Sequence, residues 1–153
     1  MSNISFFIAK CRALTQPEQA ALLTAWACLP LFWLGLRVLG LPRFQSWLRK
    51  TPTQVVTTVT LPVIQALGEI VNIAARHTPF PATCLTRSLL LGWLLRRRGI
   101  QSDLRIGVRL TNGALDAHAW VECGGIPVND KSDVASDFAS FGDLVPVKAF
   151  SAP

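Results

Sequence analysis

Residues 79–91, PFPATCLTRSLLL, place two prolines directly before a cysteine and a leucine-rich run. Because the residue before a proline disfavours helical geometry, these prolines predict the end of one helix and let another begin at Cys84. The run from Cys84 continues to three arginines and Gly99, a combination typical of a helix C-terminus rather than of a nucleic-acid patch. This point divides the chain into a helical N-terminal region, 1–76, and a second region, 77–153.

The sequence after Gly99 predicts an antiparallel meander. DLRIGVRL alternates apolar residues with others, as a half-buried strand does, and Asn112-Gly113 is a hairpin turn signal. ALDAHAWVEC then predicts a second strand, Gly124-Gly125 another turn, and IPVND a third short strand. Pairing about Asn112-Gly113 sets Gly107 opposite His118. The second region is therefore predicted to be a helix followed by an antiparallel sheet, in an α+β protein.

Residues 1–76 are predicted to be mostly helical. Residues 15–18 form a capping-box pattern, which predicts a helix to about Pro30 and a second segment to Gly40. Residues 61–77 predict a longer helix, with one apolar stripe that begins at Val63 and includes Leu67, Ile70, Val71 and Ala74.

Residues 19–36 run for 18 positions without a charge, which is nearly long enough to span a bilayer. Pro30, several small or polar residues and the immediate Arg37 favour a buried helical hairpin instead. A helix that lies on or spans a membrane is the alternative. The first ten residues carry no basic residue before their short apolar run, so a secretory signal is not predicted.

The composition favours a single folded domain, or a small domain with a helical extension. Of the 153 residues, 50% are hydrophobic and 16% are charged, which excludes a disordered or fibrous chain. The net charge of +6 suits an acidic partner or surface. Four cysteines lie at irregular spacing with no CxxC pair, so the sequence supports neither a zinc site nor a disulfide framework. We expect a reducing, cytoplasmic setting and neither metal nor cofactor.

Cys84, His118 and Asp130 form a candidate catalytic set. A helix N-terminus and a nearby imidazolium would favour the thiolate of Cys84, His118 would carry the proton, and Asp130 would fix the histidine tautomer. A three-residue loop at Gly124 would bring Asp130 and His118 onto one face at adjacent positions, whereas a strict two-residue loop would send Asp130 to the opposite face. The alternative is that Cys84 is a small core residue, as free cysteines often are.

The segments PATCLTRSLLLGWLLRRRGIQSDLRIGV and DAHAWVECGGIPVND closely resemble the transglutaminase-like cysteine protease of lasso peptide biosynthesis. This family, the B-type maturation proteins, removes the leader from a ribosomal precursor peptide. The resemblance covers about residues 79–130 and implies a papain/transglutaminase-like α+β core. It also implies Cys84 as nucleophile, His118 as base and Asp130 as third member, with Asp133 close by as an alternative.

The resemblance also implies partners. Residues 1–76 lack the strands of the leader-recognition domain found in some members, so the chain resembles a stand-alone protease that works with a separate leader-binding protein. An asparagine-synthetase-like cyclase is a further expected partner, and no nucleic acid is expected. Arg105, Arg109 and Trp120 are the predicted substrate- or partner-binding residues, although the arginines could simply form a solvated face. Thr78 and Thr83 are the polar candidates for a second oxyanion donor.

Two other functions stay open on the sequence. The same three residues could transfer an acyl group to an amine, as transglutaminases do. Alternatively, the chain could be a basic, apolar, membrane-associated adaptor in which Cys84 is structural.

Overall fold

The computed structural model of the chain describes residues 14–51 and 59–140. The helices and strands, in chain order, are α1 (Gln16–Arg49), α2 (Leu61–Arg76), α3 (Cys84–Arg97), β1 (Asp103–Thr111), β2 (Ala114–Cys123), β3 (Ile126–Pro127), α4 (Val134–Asp137) and β4 (Ala139–Ser140). Three helices thus precede a small antiparallel sheet, as expected for an α+β fold. Cys11, Phe141 and Leu144 lie outside the described residues.

Helix α1 begins at the predicted capping box, where the backbone N–H of Thr15 donates to the Glu18 carboxylate at 2.8 Å. The helix does not turn back within residues 19–36, so the hairpin prediction is wrong. It passes through Pro30 and changes direction only at Gly40, whose φ of 71° is left-handed. Packing of the inner face on both sides of Pro30 offsets the hydrogen bond that an internal proline removes.

The two faces of α1 differ. Leu22, Leu29 and Phe32 are buried in the main core, while Leu31 and Val38 on the outer face are 65% and 70% exposed. By length and composition, α1 is the one helix in residues 14–51 and 59–140 that could cross a membrane. The core helix of a soluble protein, which is mostly buried, passes the same test, and so does a signal sequence near an N-terminus.

Helices α2 and α3 complete the helical layer. On α2 the buried stripe begins at Ile64, not at the predicted Val63, which is 58% exposed. Helix α3 begins at Cys84 as predicted, with Thr83 as its N-cap residue accepting a bond from the backbone N–H of Thr86. Leucines of α3 fill the centre of one core cluster, which also contains residues from α1, α2 and β2.

The sheet has the strand order β3-β2-β1-β4 and is antiparallel throughout. The predicted register of β1 and β2 is confirmed: Gly107 lies opposite His118, and the two-residue turn has positive φ at Asn112 and Gly113. Of the two loop lengths considered for the connection between β2 and β3, the structure has the shorter one. Cys123 pairs with Ile126 across a two-residue Gly-Gly turn, and β3 ends at Pro127.

The two faces of the sheet contact different partners. Val121 and Cys123 join the main core against the helices, while Trp120 packs with Val134 and Phe138 in a second, smaller cluster. Strand β4 follows Phe138 directly and pairs with β1, which holds this cluster against the sheet. His118 lies on the same face of β2 as Trp120, because alternate residues of a strand share a face.

Candidate active site

Cys84 is the first residue of α3 and is partly buried. The proline-containing segment that leads to it rests on α1. The indole N–H of Trp26 donates to the carbonyl oxygen of His77 at 3.1 Å, and the rings of Trp33 and Phe80 lie 6.0 Å apart. The helix N-terminus therefore presents the thiol from a segment that is anchored at its start and in its middle.

His118 and Asp130 are in direct contact. Nε2 of His118 lies 2.5 Å from Oδ2 of Asp130, and the two side chains are 23% and 26% exposed. The other carboxylate oxygen of Asp130 accepts the backbone N–H of Lys131 at 2.8 Å. A carboxylate bonded to one ring nitrogen fixes the tautomer and orientation of the imidazole, which leaves Nδ1 for proton transfer. Asp133, the alternative considered from the sequence, makes no such contact.

Asp130 reaches His118 although the loop between β2 and β3 has only two residues. A two-residue turn alone would have sent the carboxylate to the opposite face, but the strand stops at Pro127 and the chain then bends. The backbone N–H of Val128 still donates to Val121 at 2.9 Å, after which Asn129 turns its side chain inward to accept the N–H of Val121 at 2.8 Å. The bend after β3 therefore places the carboxylate.

Ser88 and Asn129 connect the three parts of the site. The Ser88 hydroxyl, one turn beyond Cys84, donates to the carbonyl oxygen of Ala119 at 3.0 Å and accepts the Asn129 amide N–H at 3.0 Å. The helix with the thiol, the strand with His118 and the bend with Asp130 are thus joined at one fully buried hydroxyl. Sequence reasoning missed both residues, although a serine four positions after Cys84 in a leucine-rich helix was a usable signal.

Helix α2 supports the bend from the other side. The side-chain amide of Asn72 donates to the carbonyl oxygen of Asn129 at 3.0 Å. Gly68 lets the helix lie directly against the backbone of Val128, because a Cβ at this position would collide with the Val128 carbonyl oxygen. The location of Asp130 therefore depends on α2 as well as on the sheet.

The rings of Trp120 and Phe138 form an aromatic wall beside the imidazole of His118. The ring of His118 lies 5.1 Å from that of Phe138 and is stacked near that of Trp120 at 6.2 Å. Gly107, opposite His118, provides the space for this wall, since a Cβ there would lie 2.8 Å from Phe138 and 3.0 Å from Trp120. Trp120 is 1% exposed and donates its indole N–H to Glu122 at 2.8 Å. It offers little surface to a substrate, and its contacts fit a support for His118.

The thiol and the imidazole are not hydrogen-bonded to each other in the part of the chain that the structure describes. Helix α3 and strand β2 are nevertheless tied together one residue from His118, through Ser88 and Ala119. Catalytic hydrogen bonds often tighten only when a substrate is bound. The arrangement thus provides an oriented base beside a helix that begins with a thiol.

The predicted arginines already have acidic partners. Nε of Arg105 lies 3.0 Å from the Glu122 carboxylate, and Nε of Arg109 lies 2.9 Å from that of Asp116. The Arg109 guanidinium also lies over the Phe138 ring, 4.5 Å from its centroid. These pairs brace the sheet beside the aromatic wall, and a role in substrate binding stays a prediction.

The two oxyanion candidates differ in what their hydroxyls do. The Thr83 hydroxyl caps α3 and is hydrogen-bonded to the hydroxyl of Thr86 at 2.9 Å. The Thr78 hydroxyl is buried and has no hydrogen-bond partner within the described residues.

The thiols of Cys28 and Cys123 lie outside the candidate site, and burial raises the pKa of each above its usual value.

Comparison with known proteins identifies the core. A family model described as the transglutaminase-like superfamily matches residues 25–142, which include most of α1, all of α2 and α3, and the sheet. Comparison with curated proteins and with solved structures gave no significant match.

Proposed function

The chain belongs to the transglutaminase-like superfamily, and from this premise we propose that it is a cysteine peptidase that removes the leader from a ribosomally synthesised lasso precursor peptide. The contact between His118 and Asp130 carries the proposal, because it supplies the oriented base that a cysteine nucleophile requires. The substrate class rests on the resemblance of residues 79–130 to the lasso maturation proteases.

The chemistry assigns one role to each of the three residues. The Cys84 thiolate attacks the carbonyl carbon at the end of the leader, and the backbone N–H at the start of α3 donates to the oxyanion. The C–N bond then breaks, and the amine of the core leaves with a proton from the His118 imidazolium. Water, deprotonated by His118, hydrolyses the thioester, which frees the leader carboxylate and the thiol. Asp130 keeps the imidazole oriented through both steps.

The proposal includes a setting and partners. The protease acts in the cytoplasm, on a precursor delivered by a separate leader-binding protein. The freed α-amine of the core is then available to an asparagine-synthetase-like cyclase. A short precursor reading frame and genes for these two partners beside the gene for this chain would support the assignment.

The experiment is a cleavage assay on such a precursor, with the leader-binding protein present and products measured by mass spectrometry. Wild-type chain should release leader and core, while Cys84→Ala should leave the precursor intact and keep its circular dichroism spectrum. Cys123→Ala is the matched control, since it removes a buried thiol outside the site. Undiminished cleavage by Cys84→Ala would exclude the proposed mechanism.

Acyl transfer to an amine is a second candidate, since the superfamily includes transferases that use the same type of site. It predicts a product in which an added primary amine is joined to the leader carbonyl. Mass spectrometry of the products separates the two functions, because hydrolysis adds the mass of water and transfer adds that of the amine.

A further inference from the structure

A cavity of about 480 Å³ opens beside Asp130, between α2, the first turn of α3 and the bend after β3. Arg87 and Lys131 contribute the cations of its lining, and Asn72 and Asn129 contribute amides. Arg87 lies three residues after Cys84, and residues three apart on a helix lie on the same side. The cavity therefore borders the candidate dyad of His118 and Asp130 through Asp130, and Arg87 of its lining lies on the side of α3 that carries Cys84.

The acidic groups of this cavity are already paired. The Glu69 carboxylate lies 2.9 Å from Arg76, and Asp130 is bonded to His118. Neither carboxylate is joined in an ion pair to Arg87 or Lys131. Within residues 14–51 and 59–140 these two cations have no carboxylate partner, although the lining contains as many carboxylates as cations. Both cations are therefore available to bind a further carboxylate.

The guanidinium of Arg87 is only partly satisfied. Its Nη1 donates to the Asn72 side chain at 3.3 Å, whereas its Nε–H is buried without a hydrogen-bond partner among the described residues. A buried donor without an acceptor is costly, and a guanidinium bonds a carboxylate better than an amide because two charged, parallel hydrogen bonds form. Arg105 and Arg109 differ from Arg87 in this respect, since each already has a carboxylate within the chain.

We propose that this cavity is a carboxylate subsite, in which Arg87, assisted by Lys131, binds a carboxylate of the peptide substrate next to the scissile bond. The inference rests on the proposed function, because it assumes that Cys84 attacks a peptide carbonyl. The carboxylate comes from an acidic side chain or from a peptide C-terminus.

The first test uses two alkylating reagents of similar size, one anionic and one neutral. Iodoacetate and iodoacetamide both lose iodide to the Cys84 thiolate and form an S–CH₂ bond, but only iodoacetate carries a carboxylate. We measure both rate constants by mass spectrometry of the peptide that contains Cys84. Arg87→Gln should reduce the ratio of the iodoacetate rate to the iodoacetamide rate by about tenfold.

A purely structural role of Arg87 would change the two rates together and leave their ratio constant. Arg87→Lys should restore much of the ratio, because it keeps the charge. The exposed Lys131→Gln, which leaves the contacts of Arg87 in place, should reduce it by about threefold. Arg97→Gln is the matched control, an exposed arginine at the other end of α3, and should leave the ratio unchanged.

The outcomes separate the two proposals. If Cys84 reacts rapidly with both reagents and the ratio is the same in wild type, Arg87→Gln and Lys131→Gln, the subsite is wrong and the peptidase stands. If Cys84 reacts with neither reagent, the proposed function fails and the subsite fails with it.

The second test identifies the source of the carboxylate. A peptide library is prepared in two forms, with free and with amidated C-termini, and is treated with wild type and with Arg87→Gln. If the amidated peptides are cleaved with a preference for Glu over Gln at one position, the carboxylate comes from a side chain. If only peptides with a free C-terminus are cleaved, at a fixed distance from that end, the carboxylate comes from the C-terminus. Either preference should disappear in Arg87→Gln, and cleavage without any such preference would contradict the subsite.

Discussion

Two regions of the molecule differ in how many contacts their side chains make within the protein: the buried polar network beside His118 and Asp130, and the outer face of α1. Ser88 and Asn129 each bond to groups of two other parts of the fold. Leu23, Leu31 and Val38 on α1 instead project more than half of their surface from the protein. The difference indicates that the site depends on a few exact polar bonds between helices and sheet, while α1 serves the fold through its inner face.

The largest effect is expected when the contact between His118 and Asp130 is disrupted. Asp130→Asn should reduce the rate of the chemical step by up to about 10⁴-fold, because an amide holds the imidazole in the wrong tautomer. The matched control is Asp133→Asn, an exposed acid without contact to His118, which should retain most of the activity. Steady-state kinetics on the precursor measures both, and equal losses in the two variants would contradict the assignment of Asp130.

The two faces of α1 supply the next comparison. Leu29→Ala should lower the free energy of unfolding by about 2–5 kcal/mol, because it leaves a cavity in the main core. Leu31→Ala removes the same atoms from the outer face and should change the free energy of unfolding by less than about 0.5 kcal/mol. Urea denaturation of both variants is the measurement. A large loss in Leu31→Ala would mean that the outer face is covered in solution.

Disruption of the buried polar network should lower the free energy of unfolding by less than Leu29→Ala does, but it should clearly reduce activity. Asn129→Ala removes the acceptor for the Val121 N–H and the donor to Ser88, at a cost of about 1–3 kcal/mol. Because the same bend carries Asp130, cleavage should fall in the variant even at temperatures where it is fully folded. Thermal unfolding and cleavage, measured side by side, check this. Normal cleavage would show that the bend is held by its other contacts.

The smallest expected effect is a difference in alkylation rate among the cysteine thiols. Burial raises the pKa of Cys28 and Cys123, so less thiolate is present at neutral pH and alkylation should be slower at both than at Cys84. Their rates should increase as the pH approaches the raised pKa values. Iodoacetamide labelling followed by peptide mass spectrometry measures all three. Equal rates at neutral pH would argue that Cys84 is a core thiol.

The parts of the fold determined by local chemistry could be predicted from the sequence. The prolines and Thr83 start α3 at Cys84, and Asn112-Gly113 fixes the register that sets Gly107 opposite His118. Tertiary packing determined the rest. Burial of the inner face of α1 carries the helix through Pro30, against its local preference.

The candidate site shows the same division. The residue types and their order along the chain made Cys84, His118 and Asp130 a candidate set, and the family resemblance selected it. The route of Asp130 could not be predicted, because it depends on the contacts of Asn129 with Val121 and Ser88 after β3 ends. Pairing rules for strands do not describe a chain that has left the sheet.

The most direct test of the proposed chemistry is to trap the intermediate. Wild-type chain, mixed with precursor and leader-binding protein, is quenched within the first turnover and analysed by mass spectrometry. We predict the leader joined to Cys84 as a thioester that hydroxylamine removes, and no adduct with Cys84→Ala, which leaves the precursor uncut. An acyl group on another residue, or cleavage by Cys84→Ala, would contradict the account.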